Sequence, residues 1–178
     1  MKSYAQVMGI PRTEEYIGTG DGAIYKTVDK MKDIIIQSSK NPYIREWAAN
    51  IVGRVEVNNK QAEASAIFHF VRDRVRYTKD PLGFEYIQTP VVLLQGIQQG
   101  DKPAGDCDDM TVLSLSLLKS IGFNVAIKIV SFKENEKFGH VYGLVQIGYE
   151  WVPFDCVRPD QEMGWESNGH TRVMETIV

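Results

Sequence analysis

Cysteine is scarce in this chain. Only Cys107 and Cys156 carry thiols among its 178 residues, too few for the disulfide framework of a small secreted domain. The three histidines, His69, His140 and His170, stand far apart, and no CxxC or HxxxH spacing joins them to the cysteines. A zinc centre is therefore not expected, and no metal or other cofactor is implied. No calcium-ligand loop pattern is present either. Basic excess is missing too. The formal charge is −3 and the pI about 5.6, which argues against a broad nucleic-acid footprint. The one local basic cluster, "VRDRVR" at 71–76, reads as the solvated face and end of a helix. Long apolar runs are also lacking. The N-terminal "MKSYAQVMGIPRTEEY" has no stretch of signal-peptide length, and no window reaches the length of a membrane span. The expectation is a soluble, cytoplasmic protein with no membrane partner and with reduced thiols.

What is present is an ordinary globular composition, 43% hydrophobic and 24% charged, long enough for one domain with a real core. Residues 1–22 are polar and glycine-dotted and read as an extended lead-in. Apolar positions Ile24, Val28, Met31, Ile34 and Ile35 predict a helix over 23–39, with Asp21 as its cap. Asn41-Pro42 is a helix start signal, and a second helix runs to Val52 with Ile44, Trp47, Ala48 and Ile51 on one side. A third is expected over 61–75, with Ala62, Ala66, Ile67, Phe70 and Val71 inward and His69 near that face. The stretch 76–105 is irregular, with only a short helix at 91–95. Segments of this kind inside a compact domain are usually functional or mobile.

The following segment is the most informative. In "GDCDDMTVLSLSLLKSIG" a cysteine stands among acidic residues at the start of a strongly apolar helix. Asp106 can cap it, and Asp109 can complete a capping box. The apolar surface of Met110, Val112, Leu113, Leu115, Leu117, Leu118 and Ile121 is wide enough to predict a central helix, ended by Gly122. Beyond it the period changes to two. Val125, Ile127 and Ile129 alternate along one strand, and "HVYGLVQI" and "WVPFDC" read as two more.

The last two strands are joined by a very short connection, a hairpin signal. Folding about Ile147-Gly148 places His140 directly opposite Asp155, where Cβ atoms lie about 4.5–5.5 Å apart. A carboxylate there fixes the imidazole tautomer and supports its protonated form. The pairing depends on register, because a one-residue slip turns one partner to the other face. Cys107 lies at a helix N-terminus, whose dipole favours a thiolate. Asp106, Asp108 and Asp109 oppose it, so a histidinium partner is needed. Cys107, His140 and Asp155 then form a nucleophile, a base and an orienting group.

These blocks, "GDCDDMTVLSLSLLKSIGFNVAIKIV" and "GHVYGLVQIGYEWVPFDC", together with the lead-in "FVRDRVRYTKD", resemble the core of the transglutaminase-like superfamily over roughly 60–160. The resemblance implies an α+β, papain-like core, with cysteine on the first turn of a central helix and histidine and aspartate on neighbouring strands. It implies acyl transfer from peptide or side-chain amides through a thioester, with Cys107 as nucleophile, His140 as base and Asp155 as third member. Water as acceptor gives hydrolysis and an amine gives crosslinking. An oxyanion hole is required. The Cys107 backbone N–H is one donor, and Gln88, Gln98, Gln99 and Tyr77 are candidates for the second.

The expected segmentation is a lead-in and helical arm over 1–58, the core over 59–160 and a polar C-terminal tail over 161–178. The partner implied is a protein or peptide substrate. Chain length and the preceding helices also resemble transglutaminase-like proteins of tailed phages, implying phage structural proteins as partners and the host cytoplasm or virion as location. A second reading keeps the core as a non-catalytic interaction or virion-assembly module, with helices 23–56 as its docking face.

Blander roles stand beside these. Cys107 as a buried structural thiol is the alternative to catalysis. Asp108 and Asp109 serve first-turn helix stabilisation, or else orient substrate or neighbouring loops. Cys156 reads as a packed strand-end thiol, Trp151 and Phe154 as core or cleft wall, and His170 as a solvated tail residue.

Overall fold

The computed structural model describes residues 21–79, 86–133 and 138–178. Most of the expected lead-in, and parts of the loops around 80–85 and 134–137, lie outside the described residues. The elements in chain order are α1 (Asp21–Ser39), α2 (Pro42–Val52), α3 (Lys60–Arg74), β1 (Arg76–Tyr77), α4 (Pro90–Gln98), β2 (Ala104–Gly105) and α5 (Cys107–Ser120). They continue with β3 (Val125–Ser131), β4 (His140–Ile147), β5 (Glu150–Phe154) and β6 (Arg172–Ile177). The fold is α+β. Strands β5-β4-β3-β6 form one antiparallel sheet, and the short β1 and β2 pair in parallel elsewhere.

Helix α5 is central, as its wide apolar surface predicts. Every residue from Asp108 to Leu118 is buried. Its sheet-facing side meets Val141 and Gly143 of β4, where Gly143 lets the chain approach closely: a Cβ there would stand 2.6 Å from Leu115 Cδ2. Helices α1 and α2 are not a detached arm. Val28, Met31, Ile35, Ile44 and Ala48 belong to the same apolar cluster as α5 and the sheet.

Helix α2 starts as its sequence predicts, with the Asn41 side chain accepting from the Tyr43 backbone N–H at 3.0 Å and Pro42 in the first turn. Helix α3 buries Ile67 and Val71 as expected, but its inward face is rotated from the expected one. Ala64, Ile67, Phe68 and Val71 are inward, while Ala62, Ala66 and Phe70 are only partly buried. Both sets have helical spacing, and Phe68 decides between them by packing edge-on against Phe154 of β5, centroids 5.3 Å apart. Helix α4 is longer than 91–95, because its apolar period runs on to Ile97 and Gly96 packs closely against Pro103.

The stretch expected as a polar tail contains a strand. β6 pairs with β3 from Ala126↔Ile177 to Ser131↔Arg172. The segment before it folds back over the molecule: Glu162 reaches His69 at 2.6 Å and Arg72 at 3.1 Å on α3. No described helix is long and apolar enough to cross a membrane.

Candidate active site

Asp106 opens the site. Its carboxylate accepts from the backbone N–H groups of Asp108 (3.0 Å) and Asp109 (3.3 Å), and Asp109 accepts in return from the Asp106 N–H at 3.3 Å. The expected capping box is thus formed, and it sets Cys107 on the first turn of α5. Asp109 is 2% exposed. It also accepts from the Gln88 backbone N–H at 2.6 Å and from Gln88 Nε2 at 2.8 Å. These N–H groups and the helix N-terminus offset the cost of burying its charge. Asp109 therefore ties the irregular segment before α4 to the start of α5.

The second N–H of Gln88 Nε2 goes to the Ala104 carbonyl at 2.9 Å. A side-chain amide has two N–H donors, so Gln88 is used up as a clasp and has none for an oxyanion. Gln98 accepts from the Tyr43 hydroxyl at 3.0 Å, and Gln99 is exposed at the end of α4. Tyr77 stands apart from these. Its partner across the parallel bridge is Gly105, two residues before the cysteine. Although the residue is 38% exposed, partial desolvation of its hydroxyl pushes the phenol up to about 12, with the nearby Asp106, Asp155 and Asp108 carboxylates adding to the shift. Its hydroxyl therefore stays protonated, a neutral donor, at any physiological pH.

Cys107 is partly buried. Burial pushes its thiol pKa well up, and the Asp108 and Asp106 charges push it further, while the nearby Val141 backbone acts weakly against them. The Cys107 Sγ lies 3.7 Å from Asp108 Oδ1. The first turns of α5 approach β4 at the residue following His140. Thr111, one turn along the helix, reaches the Val141 carbonyl at 3.4 Å.

His140 and Asp155 are brought together, by a register other than the expected one. The hairpin turns at Gly148 (φ +62°) and Tyr149, one residue later in its centre than Ile147-Gly148. The ladder pairs Ile147 with Glu150 and Gly143 with Phe154. Asp155 lies just beyond the end of β5, diagonal to His140 and not opposite it. The shift in pairing is two residues, and side-chain direction has period two, so both groups keep the same face. His140 Nε2 and Asp155 Oδ2 are 2.8 Å apart. Asp155 is 5% exposed, and its Oδ1 accepts from the Val157 N–H at 3.1 Å, which fixes the carboxylate.

Cys156 is buried and its thiol pKa is raised strongly by that burial, consistent with packing. Phe154 is core, whereas Trp151 is 38% exposed. His170 is not simply solvated. It is half-buried, 3.1 Å from the Ser167 hydroxyl and beside the rings of Phe132 and Tyr142. Among the described residues, ligating atoms of Asp106, Cys107 and Asp108 lie within 4.8 Å of one another. In this group Asp106 Oδ1 already accepts the two cap N–H bonds.

The sequence matches the family model of the transglutaminase-like superfamily over residues 45–156. No curated protein matches the chain. Among solved structures, a candidate protease of Parabacteroides distasonis superposes with a TM-score of 0.58 at 8% identity, covering 81% of this chain and 31% of that one. A candidate cysteine protease of Cytophaga hutchinsonii gives 0.49 at 16% identity, with 92% and 60% covered. Legionella pneumophila LapG gives 0.45 at 16% identity, with 75% and 76% covered. The chain thus spans 60% and 31% of the lengths of the first two. The P. distasonis likeness is one of fold, and a phage origin finds no support among these neighbours. The family match covers well over half of the chain, from α2 through the cysteine helix to the end of the His–Asp hairpin: this chain belongs to the transglutaminase-like superfamily.

Proposed function

We propose that the protein is a cysteine-dependent peptidase or amidase, with Cys107 as nucleophile, His140 as base and Asp155 as the group that orients it. The observation that carries this reading is the 2.8 Å contact between His140 Nε2 and the buried, backbone-pinned Asp155 carboxylate. It occurs beside the start of α5, where Thr111 reaches the carbonyl of Val141, the residue after His140. The protease neighbours, described above, agree with it.

A proton on Nε2 is held by Asp155, which leaves Nδ1 as the basic nitrogen. Burial and two adjacent carboxylates keep the resting sulfur as a thiol. Its proton therefore passes to His140 as substrate is attacked. The sulfur bonds to the carbonyl carbon, and the resulting oxyanion is met by the Cys107 backbone N–H and the Tyr77 hydroxyl. The C–N bond then breaks as His140 returns the proton to the leaving amine. Water, deprotonated by His140, cleaves the thioester and releases the acid and the free thiol. An amine in place of water makes the same site a transamidase.

The test is turnover of peptide and side-chain amides, with intact-mass detection of the acyl-enzyme from an activated ester. Cys107→Ala should abolish both turnover and adduct with the fold intact. Tyr77→Phe should lower kcat by about 100-fold, the usual loss of one oxyanion donor. Turnover retained in the Cys107→Ala protein overturns the assignment.

A further inference from the structure

We propose that the C-terminal segment, through Glu166, is a positioning element for the His140 imidazole. This rests on the assignment of His140 as the base. Tyr142 lies two residues along β4 from His140, on the same sheet face. Their ring centroids are 5.5 Å apart with planes tilted by 30°, the range of offset stacking. Tyr142 is 2% exposed, and a phenol that deep needs a hydrogen-bond partner. Its hydroxyl donates to Glu166 Oε1.

Glu166 is itself held. Lys128 Nζ lies 2.8 Å from it, and Glu175 of β6 holds the same ammonium at 3.2 Å. Lys128 is the cross-strand neighbour of Tyr142 in β3. His170 borders the Tyr142 ring as well, 6.5 Å between centroids. A continuous series of contacts therefore runs Lys128–Glu166–Tyr142–His140–Asp155. The ring beside His140 is anchored at its far end, and the imidazole is fixed between that ring and the Asp155 carboxylate. Such anchoring matters because a small misplacement of a reacting group is costly in rate.

Glu166 and Glu175 lie beyond residue 156, where the family match ends. The anchor thus belongs to this chain's own C-terminal segment and not to the matched core. That gives the segment folding over the sheet a role besides covering it.

The experiment uses the full chain with 15N-labelled histidine. Ring signals of His140 are assigned with His140→Gln and followed in Glu166→Leu, Glu166→Gln and Tyr142→Phe proteins. In Glu166→Leu and Tyr142→Phe, the His140 signals should shift and broaden while those of His69 stay in place. With an amide substrate, kcat should fall about ten- to hundredfold at unchanged KM. Glu166→Gln still accepts from the Tyr142 hydroxyl and should restore both signals and kcat. If Glu166→Leu fails to fold, Tyr142→Phe decides alone. His140 signals identical to the unaltered protein in the folded variants overturn the proposal, as does a Glu166→Gln protein no better than Glu166→Leu. If no variant, nor the unaltered protein, turns over an amide but the NMR changes appear, the peptidase reading fails and the positioning role stands.

Discussion

Cys107 sits under opposing influences. The N-terminus of α5 and the Val141 backbone favour a thiolate, while burial and the carboxylates of Asp108 and Asp106 favour the thiol and win. The flanking acids are legible in the sequence, and so is their part in the helix cap. What the sequence does not carry is which acid does which job. Asp106 and Asp109 close the capping box, whereas Asp108 lies against the sulfur. Removing a like charge next to a thiol stabilises its ionised form, so Asp108→Asn should lower the Cys107 pKa. At fixed mildly alkaline pH, iodoacetamide should then modify Cys107 several-fold faster, as quantified by peptide mass spectrometry. An unchanged or slower rate would show that Asp108 does not govern the thiol. Gln88 illustrates what residue type alone cannot convey. An amide upstream of the nucleophile is a sound candidate oxyanion donor until its two N–H bonds are followed to Asp109 and Ala104.

At the scale of elements, the central helix and the strands were readable because their apolar periods are unambiguous. Structure departs from sequence pattern where two solutions share a period. In α3, Ala62/Ala66/Phe70 and Ala64/Phe68 are equally helical, and contact with Phe154 selects the second. In the hairpin, a turn centred at Gly148-Tyr149 shifts the pairing by two. A shift by two preserves sides, so His140 and Asp155 still meet. β6 carries no buried-strand pattern in sequence because Val173 and Ile177 lie on its exposed side, with exposures of 48% and 68%, and pairing to β3 is what makes it a strand. The contact of α5 with β4 gives a sharp test. A Cβ on Gly143 would stand 2.6 Å from Leu115 Cδ2 and 3.2 Å from its Cγ, and Leu115 is fully buried. Gly143→Ala should therefore cost about 1–3 kcal/mol through overpacking, read as a lower denaturation midpoint at unchanged denaturant slope. A variant as stable as the original would mean that the helix and strand have slack between them.

At the scale of the whole molecule, one apolar cluster joins α1 and α2 to the cysteine helix and the sheet, and the C-terminal segment adds the edge strand β6 and covers part of the second face. Composition could not announce this, since 161–178 looks polar and its glutamates act only against distant partners. Those partners also set a pH dependence. Burial opposes ionisation of Glu166, but hydrogen bonds from Lys128 and Tyr142 outweigh it and hold its pKa below the ordinary 4.5. A depressed carboxylate pKa contributes stability above its unfolded value, and that contribution is lost as pH falls through the folded value. The unaltered protein should thus lose thermal stability on acidification below about pH 4.5, and Glu166→Gln should flatten that acid limb in melting curves. Parallel acid limbs in the two proteins would show that Glu166 is not linked to folding.

The central claim is that His140, oriented by Asp155, serves the Cys107 sulfur. It is tested most directly by the pH dependence of Cys107 alkylation in the unaltered and His140→Ala proteins, with buried Cys156 as the internal control. Loss of the histidine should move the Cys107 inflection to higher pH, because the group that takes its proton is gone. Superimposable pH profiles for the two proteins would contradict the account.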